Sequence, residues 1–258
     1  MQFSDAIVRI PGLTFANGLT TSAAQGRPDI RKALEQHAAY CKALRACGLE
    51  VSVLAPDERY PDGTFVEDTA VVASRVAIAT RPGAPTRAGE VSAVAAALRG
   101  FRRELEQIEP PGTVDGGDIC QAEEHFLIGV SARTNEAGAT QLAGILARHG
   151  YSTSFVDIRG HRTLLHLKSG MAYLGEGRFT VAADLPEIDA LGAYERVAVD
   201  ATEGYAANCV RVNDLVLVAA GFPRLADRLD KLGYGVRALE MSEFTKMDGG
   251  LSCLSIRF

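Results

Sequence analysis

Apolar and polar positions along the 258-residue chain form a loose repeat: two short strand-like runs, a helical stretch, then another apolar strand. The paired runs are "TAVVASRVAIATR" (69–81), "DICQAEEHFLIGV" (118–130), "MAYLGEGRFTVAA" (171–183) and "NCVRVNDLVLVAA" (208–220). Each carries turn-type residues near its middle, as a hairpin needs. Helical patterning covers 28–47, 89–105, 135–149 and 222–232, with a weaker stretch near 186–194. Three of these stretches end in a glycine stop and an apolar strand, "GLEVSVL" at 48, "GYSTSFV" at 150 and "GYGVRAL" at 233. Glycine just past a helix end is the expected C-terminal signal.

Four hairpins therefore alternate with five helices. A fifth strand pair can come only from the two ends, "AIVRI" (6–10) and "CLSIRF" (253–258). Five units of about fifty residues have the period of a radially repeated fold. No linker or low-complexity tract divides the chain, so residues 1–258 read as a single domain. If the two ends pair, Cys253 sits on the strand that closes the ring and is held in place by it.

Composition narrows the function. Hydrophobic residues make up 47% and charged residues 23%, the balance of an ordinary globular protein. The formal charge is −5 with Lys and Arg scattered, which argues against nucleic acid and anionic membrane and mildly favours a small cationic substrate. No run of about eighteen apolar residues offers a membrane span. The start, "MQFSDAIVRI", lacks the pattern of a secretory signal. The five cysteines are odd in number and contain no CxxC, so a disulfide framework or structural zinc site is not expected, and a reducing cytoplasm is the default.

Chemistry concentrates in the segments that lead into the hairpins. "YPDGTFVEDTA" (60–70) and "TVDGGDI" (113–119) set carboxylates beside glycines. Taken singly, such segments are ordinary surface turns. Here they precede the first strand of successive repeats, and equivalent positions in a radial fold converge near the axis. Converging carboxylates raise one another's pKa unless a cation lies among them, and a planar guanidinium suits two carboxylates well. His166, in "TLLHLKSG" (163–170), has the equivalent placement in the third repeat, although a lone histidine in an apolar run is more often a core residue. His37, His125, His149 and His161 read as solvated. No HxH or HExxH spacing supports a metal site. Cys41 and Cys47 share one helix, and Cys120 and Cys209 read as packing residues. Cys253 differs because it follows "DGGLS", the fifth approach to the axis. A nucleophilic thiol needs a lowered pKa and a base, which His166 could supply through the fold.

The stretches "FVEDTAVV", "VDGGDI", "SARTNEAG", "LHLKSG" and "MDGGLSCLSIRF", in this order, closely resemble the dimethylarginine dimethylaminohydrolases. That family lies within the guanidine-modifying superfamily of arginine deiminases and glycine amidinotransferases. The resemblance implies a five-bladed α/β propeller of ββαβ units around a central substrate channel. It implies conversion of Nω-methylated arginines to citrulline and a methylamine through a covalent thiouronium, with no metal or organic cofactor. Carried onto this chain, Cys253 is the nucleophile and His166 the general acid and base. Asp115 holds His166 or the guanidinium, and Asp68 binds the guanidinium nitrogens. Asp62 and Glu67 line the pocket, Arg87 and Arg133 hold the substrate α-carboxylate, Leu19 belongs to a lid over residues 12–28, and Met247 offers its backbone. Some bacterial members carry Glu where this chain has Asp115, which changes reach toward the histidine. The implied partner is a small guanidino substrate, and a homodimer is compatible with the family. The alternatives are a related hydrolase of arginine, citrulline or another guanidino or ureido acid, then an amidine transferase, then a non-enzymatic scaffold.

Overall fold

The computed structural model describes residues 2–102, 104–161, 164–185 and 187–258. In chain order the regular elements begin with β1 (Asp5–Arg9), α1 (Ile30–Ala46), β2 (Glu50–Leu54), β3 (Ala70–Ala73) and β4 (Val76–Ala79). There follow α2 (Val91–Leu98), β5 (Glu106–Gln107), β6 (Ile119–Ala122), β7 (His125–Val130), α3 (Glu136–Arg148) and β8 (Ser152–Asp157). The last are β9 (Met171–Gly175), β10 (Arg178–Ala182), β11 (Glu195–Val199), β12 (Val210–Val212), β13 (Leu215–Ala219), α4 (Pro223–Lys231), β14 (Gly235–Leu239), α5 (Ser242–Thr245) and β15 (Ile256–Arg257).

The strands form five three-stranded sheets, β15-β1-β2, β3-β4-β5, β6-β7-β8, β9-β10-β11 and β12-β13-β14. In every sheet an antiparallel pair is extended by a parallel outer strand. A parallel partner requires a crossover, and α1, α2, α3 and α4 supply it in four sheets. This is the five-bladed α/β propeller. β1 pairs with β15 in the register Ala6↔Arg257 and Ile7↔Ile256, so the blade built from the two ends closes the ring.

Each helix is specified locally. Asp29 caps α1 by accepting from the Arg31 amide at 2.8 Å, and Ala33, Tyr40, Cys41 and Leu44 bury one face at helical spacing. His37 lies on that same buried face and is not solvated as the sequence suggested; burial lowers its pKa to about 4. Asn135 caps α3 through Gly138 at 2.8 Å. The first amides of α4, at Arg224 and Leu225, donate to the buried carboxylate of Glu203 at 3.1 and 2.8 Å, which satisfies a helix end that lacks its own cap. The helix expected over 89–105 is shorter, because a 3₁₀ turn occupies Pro85–Glu90 and the turn at Gly100 stops it. The weak helix near 186–194 begins at Pro186, outside the described residues, and the rest of it holds only a 3₁₀ turn, Asp189–Leu191.

Candidate active site

Each inner strand is entered through a 3₁₀ turn: Val66–Thr69 before β3, Gly116–Asp118 before β6, Leu167–Ser169 before β9, Ala201–Ala207 before β12 and Ser252–Leu254 before β15. Four pairs of neighbouring turns touch, and Asn208, just after Ala201–Ala207, hydrogen-bonds Ser252, which closes a ring at one end of the inner strands. Asp68, Asp115, His166 and Cys253 lie in or beside four of them. Glycine earns its place here by close approach. A Cβ on Gly117 would lie 2.7 Å from His166 Nδ1 and 2.9 Å from Asp68 Oδ1, and one on Gly250 would lie 2.3 Å from Asn208 Oδ1.

His166 Nε2 is 3.0 Å from Asp115 Oδ2 and 4.0 Å from Asp68 Oδ1. Asp115 is fully buried, and its other oxygen accepts from the Gly83 amide at 2.7 Å. Asp68 accepts from the Gly117 amide at 2.9 Å and from Arg87 Nη1 at 2.5 Å. Cys253 is partly exposed, and its sulfur accepts from the Gly250 amide at 3.3 Å. Asn208 fixes the turn that carries Cys253: its oxygen accepts from the Ser252 amide at 3.0 Å, and its Nδ2 reaches Ser252 Oγ at 3.0 Å and the Lys168 carbonyl at 2.7 Å.

The protonation pattern follows from this packing. Burial disfavours a charged imidazole, yet the Asp68 charge and the Asp115 hydrogen bond outweigh it and hold His166 up at about 9. Burial would raise Asp68, but His166 and Arg87 bring it down to about 2. Burial, then the charges of Glu67 and Asp68, push the Cys253 thiol up to about 12. At neutral pH this packing favours a thiol on Cys253 and an imidazolium on His166.

A cavity of about 190 Å³ is lined by Leu19, Asp62, Asp68, Arg87, Arg133, His166, Met247 and Cys253, so the fold brings most of the expected residues together. Asp115 stands behind His166. Arg133 makes no ion pair among the described residues. Two residues depart from expectation. Arg87 was expected on a substrate carboxylate, but four of its five N–H donors are committed to Asp68, Glu90 and the Phe65 carbonyl. Such a buried ion network is kept because every charge in it is answered. Glu67 was expected in the pocket, but it binds Lys168 Nζ at 2.5 Å and Ser252 Oγ at 2.6 Å and lines a second cavity of about 160 Å³. Glu67 and Asp68 are successive residues of one 3₁₀ turn, as are Ser252 and Cys253, so the side chains of each pair diverge by about 120° and divide between the two cavities.

The expected lid also differs. Phe15 is buried against Phe65 and Phe244, which anchors the first part of 12–28. Beyond it Leu19 is 41% exposed, and its amide donates to Asp62 Oδ1 at 3.0 Å. Asp248 accepts from the Thr21 amide at 2.5 Å and from Ser22 Oγ at 2.6 Å. Sequence reasoning missed Asp248, Thr20, Thr21 and Leu165, all of which line the cavity. Only the position of Asp248 in "KMDGGLSC" hinted at it. Asp68, Asp115 and His166 also place ligand atoms within 4.8 Å of one another, the donor set a divalent cation would use. Here the His166 proton and Arg87 already supply the positive charge.

The arginine deiminase family model matches residues 95–202. The dimethylarginine dimethylaminohydrolase of Pseudomonas aeruginosa is 44% identical over the full length of both chains. A crystal structure of that enzyme, a cysteine-to-serine mutant in complex with citrulline, superposes with a TM-score of 0.96 at 43% identity, covering both chains completely. Another solved dimethylarginine dimethylaminohydrolase, a histidine-to-glycine variant as an adduct with S-methyl-L-thiocitrulline, gives the same TM-score and coverage at 43% identity. With likeness of this degree along its whole length, the chain belongs to the dimethylarginine dimethylaminohydrolase family.

Proposed function

We propose that the protein hydrolyses Nω-methylated arginines to citrulline and dimethylamine or methylamine, with Cys253 as nucleophile. The observation that carries the reading is the placement of Cys253, His166 and Asp68 on one cavity that also holds Arg133, a cation with no ionic partner among the described residues. The carboxylates suit a guanidinium, and Arg133 suits an α-carboxylate.

Binding in this frame sets the guanidinium carbon against Cys253. Burial and the charges of Glu67 and Asp68 keep the thiol protonated; the substrate's positive charge offsets them, so the proton leaves to solvent and a thiolate forms. Sulfur adds to the carbon, and the imidazolium of His166 gives its proton to the departing amine. A thiouronium remains on Cys253. Neutral His166 then takes a proton from water, the oxygen adds, and collapse expels the sulfur and leaves citrulline. Asp115 keeps the ring in place throughout, and no cofactor is called on. Turnover of asymmetric dimethylarginine against arginine and citrulline tests the substrate class; release of ammonia from arginine at a higher kcat/KM would replace the reading with a deiminase.

Arg133→Ala is expected to raise KM for asymmetric dimethylarginine by roughly 10–100-fold, the loss of one charged hydrogen-bonding partner. Methylguanidine, which has no carboxylate, is expected to be insensitive to the change. Equal losses on both compounds would reject the role.

Residues 18–26 act as the lid in this reading, because most of the segment is exposed and its side-chain links to Asp62 and Asp248 are polar. Hydrogen exchange there is expected to slow when citrulline binds, while β12 and β13 change little. Equal protection with and without citrulline would make the segment a fixed loop.

We read residues 1–258 as one catalytic domain and place it in the cytoplasm, a compartment suited to five free thiols. Among the described residues no helix is long and apolar enough to cross a membrane. Val53 and Phe155 are exposed apolar residues on the outer strands of two different blades, and light scattering can test whether the protein forms a homodimer.

A further inference from the structure

Asp118 takes no part in the chemistry above, yet it is fully buried and accepts three hydrogen bonds. Leu167 N–H donates to Oδ1 at 3.0 Å. The hydroxyls of Ser131 and Thr134 both donate to Oδ2, at 2.6 and 2.7 Å. Because those protons point at Asp118, the hydroxyl oxygens are free to accept. Ser131 Oγ accepts from the amides of Arg133 and Thr134 at 2.9 and 3.0 Å. Thr134 Oγ1 accepts from the amide of Asp115 at 3.1 Å. One carboxylate thus reaches three site residues: His166 through the next amide in the chain, Asp115 through Thr134, and Arg133 through Ser131.

We propose that Asp118 is a positioning residue that locks the acid–base pair, His166 and Asp115, to the recognition cation Arg133, so that both ends of one substrate are met in register. The inference rests on the hydrolase reading. Donor arithmetic says why the group must be a carboxylate. All three groups that face Asp118 are donors. An asparagine in either orientation would turn its NH₂ toward a donor. If the NH₂ meets the hydroxyls, Ser131 Oγ would be asked to accept three hydrogen bonds and its own proton would lose its acceptor. If it meets Leu167, two N–H groups oppose each other beside His166. The same charge also helps keep His166 protonated, alongside Asp68 and Asp115. The other charged or titratable groups on this pocket are Arg87, Asp62, Arg133, Asp248 and Cys253.

The two arms can be cut separately. Ser131→Ala is expected to raise KM for asymmetric dimethylarginine by about 3–10-fold with kcat nearly unchanged, and Thr134→Val to lower kcat by about 3–10-fold with KM nearly unchanged, since each arm loses its hydroxyl's bond to Asp118 together with the amide bonds that hydroxyl accepts. Asp118→Asn is expected to show both effects, with kcat/KM down roughly 10–100-fold as for a charged acceptor. It should also move the His166 titration, followed by NMR on ¹⁵N-histidine-labelled protein, below the unmodified protein's value. A general structural role would instead give kcat and KM losses that track the melting temperature and do not split between the two hydroxyl variants, and that result overturns the proposal. If Asp118→Asn fails to fold, the Ser131 and Thr134 variants decide. If the unmodified protein turns over no methylated arginine, the hydrolase reading fails, while the His166 titration in Asp118→Asn and Thr134→Val still judges the lock. An unchanged titration in both rejects it.

Discussion

Cys253→Ser is expected to reduce turnover of asymmetric dimethylarginine to below roughly one per cent while leaving the fold intact. The serine oxygen fits where the sulfur sits, beside the Gly250 amide, so packing loses little. Reactivity is what goes. The Cys253 thiol is already held at about 12 by burial and by the charges of Glu67 and Asp68, and only an incoming cation brings it into range. An alcohol starts several units higher, and the same cation does not bring it to an ionised state. His166 gives no rescue, because at about 9 it rests protonated and is no base toward the hydroxyl. Two further measurements bear on the same point. Ultraviolet absorbance of a thiolate should rise when a cationic, non-hydrolysed amino acid binds the unmodified protein and should not rise in the variant. Acid quench during turnover should trap a thiouronium on Cys253 and on no other cysteine. A serine variant that keeps more than a few per cent of normal activity, or an adduct elsewhere, would remove Cys253 from the nucleophile's role.

The architecture was legible in the sequence because it rests on recurring local signals, four hairpins and three glycine stops that lead into apolar strands. Hairpin turns, glycine stops and apolar outer strands each act over a few residues, and their recurrence gave the blade count before any contact was known. Pairing of the two ends was legible by elimination. The site was legible to the extent that it depends on residue type and repeat position, as for Asp68, Asp115, His166 and Cys253. What escaped was direction. Whether a carboxylate beside the axis faces one cavity or the other depends on one step around a 3₁₀ turn, and Glu67 lines a different cavity from Asp68. Partner choice escaped too. Arg87 and Arg133 look alike in sequence, but Glu90, one turn after Arg87, captures the first guanidinium, while the second has no ionic partner among the described residues. The burial of Phe15 within 12–28 escaped as well, because it is set by Phe65 and Phe244 from distant segments.

His166→Gln is expected to lower kcat by roughly 10²–10⁴, the usual worth of a positioned acid and base. Glutamine keeps a polar side chain near Asp115 but carries no transferable proton. The amine then leaves unprotonated from a carbon already resistant to attack. The charge state also gives the loss a pH signature. Asp68 and Asp115 raise His166 from its ordinary 6.5 to about 9, so the imidazolium donates to the leaving amine across the neutral range. Activity of the unmodified protein should therefore fall as pH rises through about 9, and this alkaline limb should vanish in the variant. Stability has the same origin and a fixed sign. A group whose pKa is raised on folding contributes fully below its unfolded value and loses that contribution as pH climbs through the folded one. The difference in melting temperature between the two proteins should thus be largest below 6.5 and shrink between 6.5 and about 9. It should be smallest above that range, where the ring is neutral in both states. Asp68 does not blur the window, because its own contribution disappears only as pH falls toward about 2. A melting difference that grows with pH, or an alkaline limb that survives in His166→Gln, would mean that the proton on His166 is not the one delivered to the leaving amine.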